Sequence, residues 1–204
     1  VKCGIWDLKL GNLVMNAQRI SMAVLVVLSI VATTSEKNIT SAQQNPILAR
    51  LTQNSLSPTN RRFITEAAQG RRAEVDLGRL ASQRGLNREV KQYGQRMVLD
   101  HTQANNELKE LANQKGINLP PGIGQENSKV KVRLSKLYGA AFDEAYMNQM
   151  VADHNQDVFL FERQSQREDD RDLRDWVTKT LPNIQEHLRL ANSITGHLGD
   201  KNRL

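Results

Sequence analysis

The sequence predicts an all-α protein, an antiparallel four-helix bundle made of two related helix hairpins joined by a longer crossover. Three observations predict it. Gly and Pro are scarce, 12 and 5 in 204 residues, which is too little turn punctuation for a fold of many short strands. Apolar residues recur at four-three spacing along four stretches, the pattern that keeps one stripe of a helix facing a bundle core. Finally, segment 74–93 matches segment 157–176 at a constant offset of 83. Ser82-Gln83-Arg84 falls on Ser165-Gln166-Arg167, Glu74 on Asp157, Arg88 on Arg171 and Tyr93 on Trp176.

Ahead of the bundle, residues 15–42 read as a signal peptide. Arg19 precedes an apolar run over 20–32, and Thr40-Ser41-Ala42 offers small groups where a signal peptidase reads. The apolar run is shorter than the ~20 residues a membrane span needs, so no stable span is expected in the mature form. Residues 1–14 read as an upstream extension carrying Cys3, the sole thiol, so the mature domain has neither a disulfide nor a thiolate site. Residues 43–57 are polar and aperiodic and read as a linker. These features predict an exported protein, periplasmic or extracellular.

The bundle domain is predicted over 58–198, with a tail at 199–204. Ser57-Pro58 opens the first helix, because the serine oxygen caps free N–H groups and proline lacks only an N–H that the first turn leaves unused. Gly85 stops that helix near Arg84, Asn87 caps the second, and Gly116 ends it beside Lys115. Ile117 to Asn127, rich in Pro and Gly, is the crossover. Ser128 restarts a helix, broken near Gly139, that runs to Arg167. Asp169 or Asp170 caps a last helix reaching Leu198, with Pro182 inside it as a predicted kink.

The predicted seams are Phe63, Ala67, Gly70, Glu74, Leu77 and Ala81 on the first helix; Val90, Gly94, Met97, His101, Ala104, Leu108 and Leu111 on the second. The third carries Ala140, Asp143, Met147, Met150, His154, Asp157 and Phe161; the fourth carries Leu173, Val177, Thr180, Ile184, His187, Ala191, Ile194 and Leu198. Gly70 and Gly94 weaken helix propensity by ~1 kcal/mol each, which predicts close helix approach at both. Met97, Met147, Met150, Phe142, Tyr146, Phe159 and Phe161 read as core or inter-helix packing.

Titratable groups on those seams carry the functional signal. Glu74, His101, His154 with Asp157, and His187 place one group or pair on each helix. Burying such groups alone is costly, so they must meet one another or something held between them. Two arrangements satisfy them: a divalent transition metal (zinc, iron or manganese) ligated by all five, or a Glu–His hydrogen-bond network without metal. Asp100 and Asp153 precede their histidines and point about 100° away, so they read as supporting partners, caps or surface charges.

The strings FITEAAQGRRAEVDLGRLA, MVLDHTQANNELKELA, FDEAYMNQMVADHNQDV and LPNIQEHL resemble the bacterial domain-of-unknown-function family 4142 over residues 60–197. The resemblance implies an exported, ferritin-like bundle and assigns no activity. Ferritin-like dimetal enzymes place Glu-X-X-His on two helices, whereas here Val98, Val151 and Ile184 stand three residues before the histidines. A histidine-rich single-metal site, or none, fits better than a di-iron centre. The readings that follow are a metal-binding module in metal homeostasis or stress tolerance, a metal-free structural or envelope-stress protein, and a dimetal redox enzyme. Nucleic acid is not an expected partner: the net charge of +6 comes from Lys and Arg interleaved with Asp and Glu, and only 4% of residues are aromatic. No nucleophile elbow, P-loop or dinucleotide fingerprint is present.

Overall fold

The computed structural model describes residues 56–201 apart from 168. Among them are five helices and no strand: α1 (Pro58–Arg84), α2 (Arg88–Gln114), α3 (Gln125–Leu134), α4 (Gly139–Ser165) and α5 (Arg171–Lys201). The predicted extension and signal segment lie outside the described residues, as does the linker except Leu56 and Ser57. Leu56 is buried in the core. None of the described helices is long and apolar enough to cross a membrane.

Cap chemistry fixes the helix ends. Ser57 Oγ accepts from Asn60 N at 3.2 Å, Asn87 Oδ1 from Glu89 N at 2.8 Å, and Asp170 Oδ1 from Leu173 N at 2.9 Å. Asn87 and Asp170 are 83 residues apart, so the repeat duplicates the cap that opens the second helix of each half. Gly116 adopts φ 65° just after α2, the left-handed turn glycine allows. Three boundaries differ from the sequence prediction. α3 begins at Gln125, after Gly124 at φ 83°, while the break predicted near Gly139 is present as a link over 135–138. α4 stops at Ser165, and α5 continues to Lys201, into the predicted tail. α5 also runs through Pro182, an exposed position.

α1 packs along α2 and α4 along α5; α2 meets α5 and α1 meets α4, while α3 lies against α1 and α4. The α1–α2 approach is set by Gly78 and Gly94: a Cβ on Gly78 would fall 2.5 Å from Gly94 O, and one on Gly94 2.7 Å from Gly78 O. Gly94 therefore does what was predicted, and Gly70 does not: no atom lies within 4 Å of its would-be Cβ. The buried Asp143 carboxylate joins α4 to the α1–α2 turn, accepting from Leu86 N at 3.0 Å and Asn87 N at 2.7 Å.

Side-chain burial splits the core in two. One cluster contains Ile64, Ala68, Leu108, Phe161, Val177 and Ile184; the other contains Leu77, Met97, Tyr146, Met147, Met150 and Ala191. On each long helix buried polar residues lie between these clusters: Arg71 and Glu74 on α1, His101 on α2, His154 on α4 and His187 on α5. The interior is thus two apolar layers separated by a charged and imidazole layer. Two predictions need correction: Ala140, expected on the seam, and Phe159, expected in core or inter-helix packing, are both exposed. The Arg163 guanidinium lies 5.6 Å from the centroid of the Phe159 ring. The α1 seam is also displaced by one residue in its first half, where Ile64, Ala68 and Arg71 are buried while Phe63, Ala67 and Gly70 are half-buried.

Candidate metal centre

The polar layer brings three imidazoles together. His101, His154 and His187 are each no more than 1% exposed, with ring centroids 5.1 to 5.8 Å apart. One ring nitrogen from each can be chosen so that all three lie within 4.8 Å of one another. An ion at the centre of a triangle with 4.8 Å sides would be about 2.8 Å from each nitrogen, so inward shifts of about 0.7 Å reach a zinc–nitrogen bond of ~2.05 Å. Shifts of that size are within ordinary side-chain adjustment.

In each ring one nitrogen has a partner and the other has none. His154 Nδ1 is 3.0 Å from Met150 O, one turn back on α4; a carbonyl only accepts, so Nδ1 carries the proton and Nε2 the lone pair. His187 Nε2 is 2.8 Å from Asp100 Oδ2, so Nε2 donates and Nδ1 holds the lone pair. His154 Nε2, His187 Nδ1 and His101 Nε2 are all buried without a hydrogen-bond partner. Burial holds all three rings neutral. It depresses His187 to about 4 despite the opposing Asp100 carboxylate, lowers His154 against the pull of Asp157, and lowers His101 well below the usual range, helped by the Arg71 charge.

Glu74 is buried beside this trio, with Oε2 3.2 Å from His101 Nδ1 and Oε1 3.6 Å from His154 Nδ1. Neither oxygen receives a well-directed hydrogen bond. Burial pushes its carboxyl up to about 8, against the pull of Arg71. It faces the δ edges of His101 and His154, whereas the unpartnered nitrogens are on the ε edges. The structure therefore places Glu74 beside the δ edges of two of the imidazoles. Asp157 is not in the convergent nitrogen group. It is half-buried and lines a cleft of about 450 Å³ between α1 and α4, together with Glu74, Asp153, Glu66 and Glu126. Burial, then the nearby Glu74, pushes Asp157 up to about 7.

Two features escaped the sequence reading. Asp100 pairs with His187 on α5 and not with its neighbour His101. Arg71, whose charge by itself suggests a surface position, is 2% exposed. Its guanidinium lies 4.8 Å from the Phe161 centroid and 5.2 Å from that of Trp176, and Nη1 is 3.2 Å from His101 Nδ1. Nε and Nη2 have no partner. The repeat held the signal: the offset of 83 sets Arg71 on His154, as it sets Glu74 on Asp157.

A family model described as "Domain of unknown function (DUF4142)" matches residues 45–194. The crystal structure of a DUF305 fragment from Deinococcus radiodurans superposes with a TM-score of 0.61 at 14% identity, covering 70% of this chain and 99% of that one. That likeness shows the fold alone. No curated protein matches the chain.

Proposed function

Because the chain belongs to the DUF4142 family, a name that assigns no activity, we propose its function from the site itself: a divalent transition-metal-binding module held by His101, His154 and His187. One observation carries this reading: three buried imidazoles, each with one ring nitrogen that has no partner, come close enough for one nitrogen of each to lie within 4.8 Å of the others. An unpaired buried polar group costs on the order of 1–3 kcal/mol, and three together are removed at a stroke by a cation. Hydrogen bonding among the rings satisfies at most one lone pair per N–H, so the three rings by themselves leave at least one nitrogen bare.

The donor set favours zinc over manganese, since imidazoles suit zinc and carboxylates suit manganese. Met150 O and Asp100 behind the rings supply the outer hydrogen bonds that fix ligating histidines. Asp157 and Asp153 line the α1–α4 cleft that leads from solvent to Glu74, an acidic approach for the ion. The packing of α1 with α2 and α4 with α5, together with the internal repeat, supports a ferritin-like arrangement of two antiparallel hairpins. With the signal segment at 15–42, the reading is an exported protein serving metal homeostasis or stress tolerance.

The test is metal analysis of the purified full chain, with thermal shifts of metal-stripped protein in zinc, manganese, copper and iron. One equivalent of metal and a melting temperature raised most by zinc are the predicted results. A metal-free protein whose melting ignores all four ions refutes the proposal.

A further inference from the structure

Of the three imidazoles, His101 differs in one respect. The partners of His154 and His187 accept hydrogen bonds, whereas a guanidinium only donates. Arg71 Nη1, 3.2 Å from His101 Nδ1, therefore requires a lone pair on Nδ1, and in the neutral ring the proton then sits on Nε2, the nitrogen without a partner. A protonated Nε2 has no lone pair for a cation. Glu74 Oε2, also 3.2 Å from Nδ1, offers the opposite arrangement, with Nδ1–H donating to the carboxylate and Nε2 free to ligate. His101 Nδ1 is thus shared between a donor and an acceptor that demand different tautomers.

We propose that Arg71 is a positioning residue that holds His101 in the tautomer unable to bind metal, so that metal capture requires His101 to exchange its hydrogen bond with Arg71 for one with Glu74. This rests on the three-histidine reading. In the exchange the ring stays neutral: a proton leaves Nε2 as the ion takes that lone pair, and one is taken up at Nδ1, which donates to Glu74. Arg71 is suited to this role because it is held in place by more than His101. Its guanidinium packs against Phe161 and Trp176, and among the described residues its only hydrogen bond is the one from Nη1 to His101 Nδ1. Two ligands are ready and the third is withheld, which lowers apparent affinity by the fraction of molecules in the competent tautomer.

The experiment is long-range proton–nitrogen correlation NMR on the metal-stripped full chain labelled with 15N-histidine, together with zinc titration of wild type and Arg71→Met. In the wild type, His101 is predicted to show a protonated Nε2 and a bare Nδ1, opposite to His154 in the same spectrum, and to reverse when zinc is added. Arg71→Met is predicted to show His101 protonated on Nδ1 before any metal and to bind zinc about tenfold more tightly or better. Arg71→Lys, which keeps a positive charge on a shorter head, separates tautomer control from simple repulsion: it too is predicted to free Nδ1 and bind zinc more tightly. A wild-type His101 already protonated on Nδ1 without metal overturns the inference, and leaves the metal reading intact if zinc still binds. Unchanged zinc affinity in a folded Arg71→Met protein also overturns it. If the wild type binds no zinc, the metal reading fails, while the tautomer assignments still decide whether Arg71 controls His101.

Discussion

Two glycine-to-alanine substitutions in neighbouring helices should move stability in opposite directions. At Gly94, the added Cβ would stand 2.7 Å from both Gly78 O and Ala81 Cβ, well inside contact distance and against backbone that cannot rotate away. The α1–α2 separation would have to grow by several tenths of an ångström. Overpacking of this kind costs roughly 1–3 kcal/mol, from which the better helix propensity of alanine recovers ~1. A net loss of about 0–2 kcal/mol follows. At Gly70, also mid-helix but with nothing within 4 Å of the new Cβ, the same substitution should gain ~1 kcal/mol. The two variants should therefore differ by about 1–3 kcal/mol in urea unfolding followed by circular dichroism, with unchanged m-values. The Gly78–Gly94 contact also sets the spacing of Glu74 and His101, so Gly94→Ala should weaken zinc binding where Gly70→Ala does not. Equal stabilities, or a shift of both in the same direction, would refute the close-approach argument.

Three further outcomes follow from the geometry. Asp143→Ala strips the acceptor from two N–H groups at the α1–α2 turn and should cost about 2–3 kcal/mol in the same unfolding assay, with Asp143→Asn costing less. Asp157→Asn and Asp153→Asn remove charge from the α1–α4 cleft, and in stopped-flow mixing should slow zinc uptake at low salt, an effect that fades as ionic strength rises. The metal-free protein should lose stability as pH falls from 6.5 toward 4. Unfolded His187 takes a proton near 6.5 whereas the folded ring resists until about 4, so its contribution is complete above 6.5 and declines by up to ~3 kcal/mol through that window. His187→Gln should flatten the decline measured by unfolding at pH 7.5, 6 and 4.5, and an unchanged slope would contradict the buried neutral imidazole.

What the sequence could show depended on whether a residue's chemistry announces its own position. Ser57-Pro58, Asn87 and Asp170 mark helix starts because their side chains satisfy N–H groups a few residues on, so those ends were legible. The start of α3 at Gln125 has no side-chain cap, and its prediction fell three residues late. The three histidines were legible because each interrupts an otherwise apolar stripe. Arg71 was not, because a charged residue reads by default as surface, and assigning it outward shifted the first half of the α1 seam onto Phe63, Ala67 and Gly70. Correcting that one residue restores the seam to Ile64, Ala68 and Arg71. The side of each ring that Glu74 faces depends on rotamers that spacing does not encode. Asp157 shared a face with His154 by spacing alone, yet stands at the cleft edge, where the gap between α1 and α4 leaves it half-exposed.

The most direct test of the account is anomalous diffraction at the zinc edge from crystals of the full chain grown with zinc. The account predicts a single strong peak among His101, His154 and His187, with Glu74 behind the δ edges of two of the rings. Zinc at other residues only, or an empty trio at saturating zinc, would contradict it.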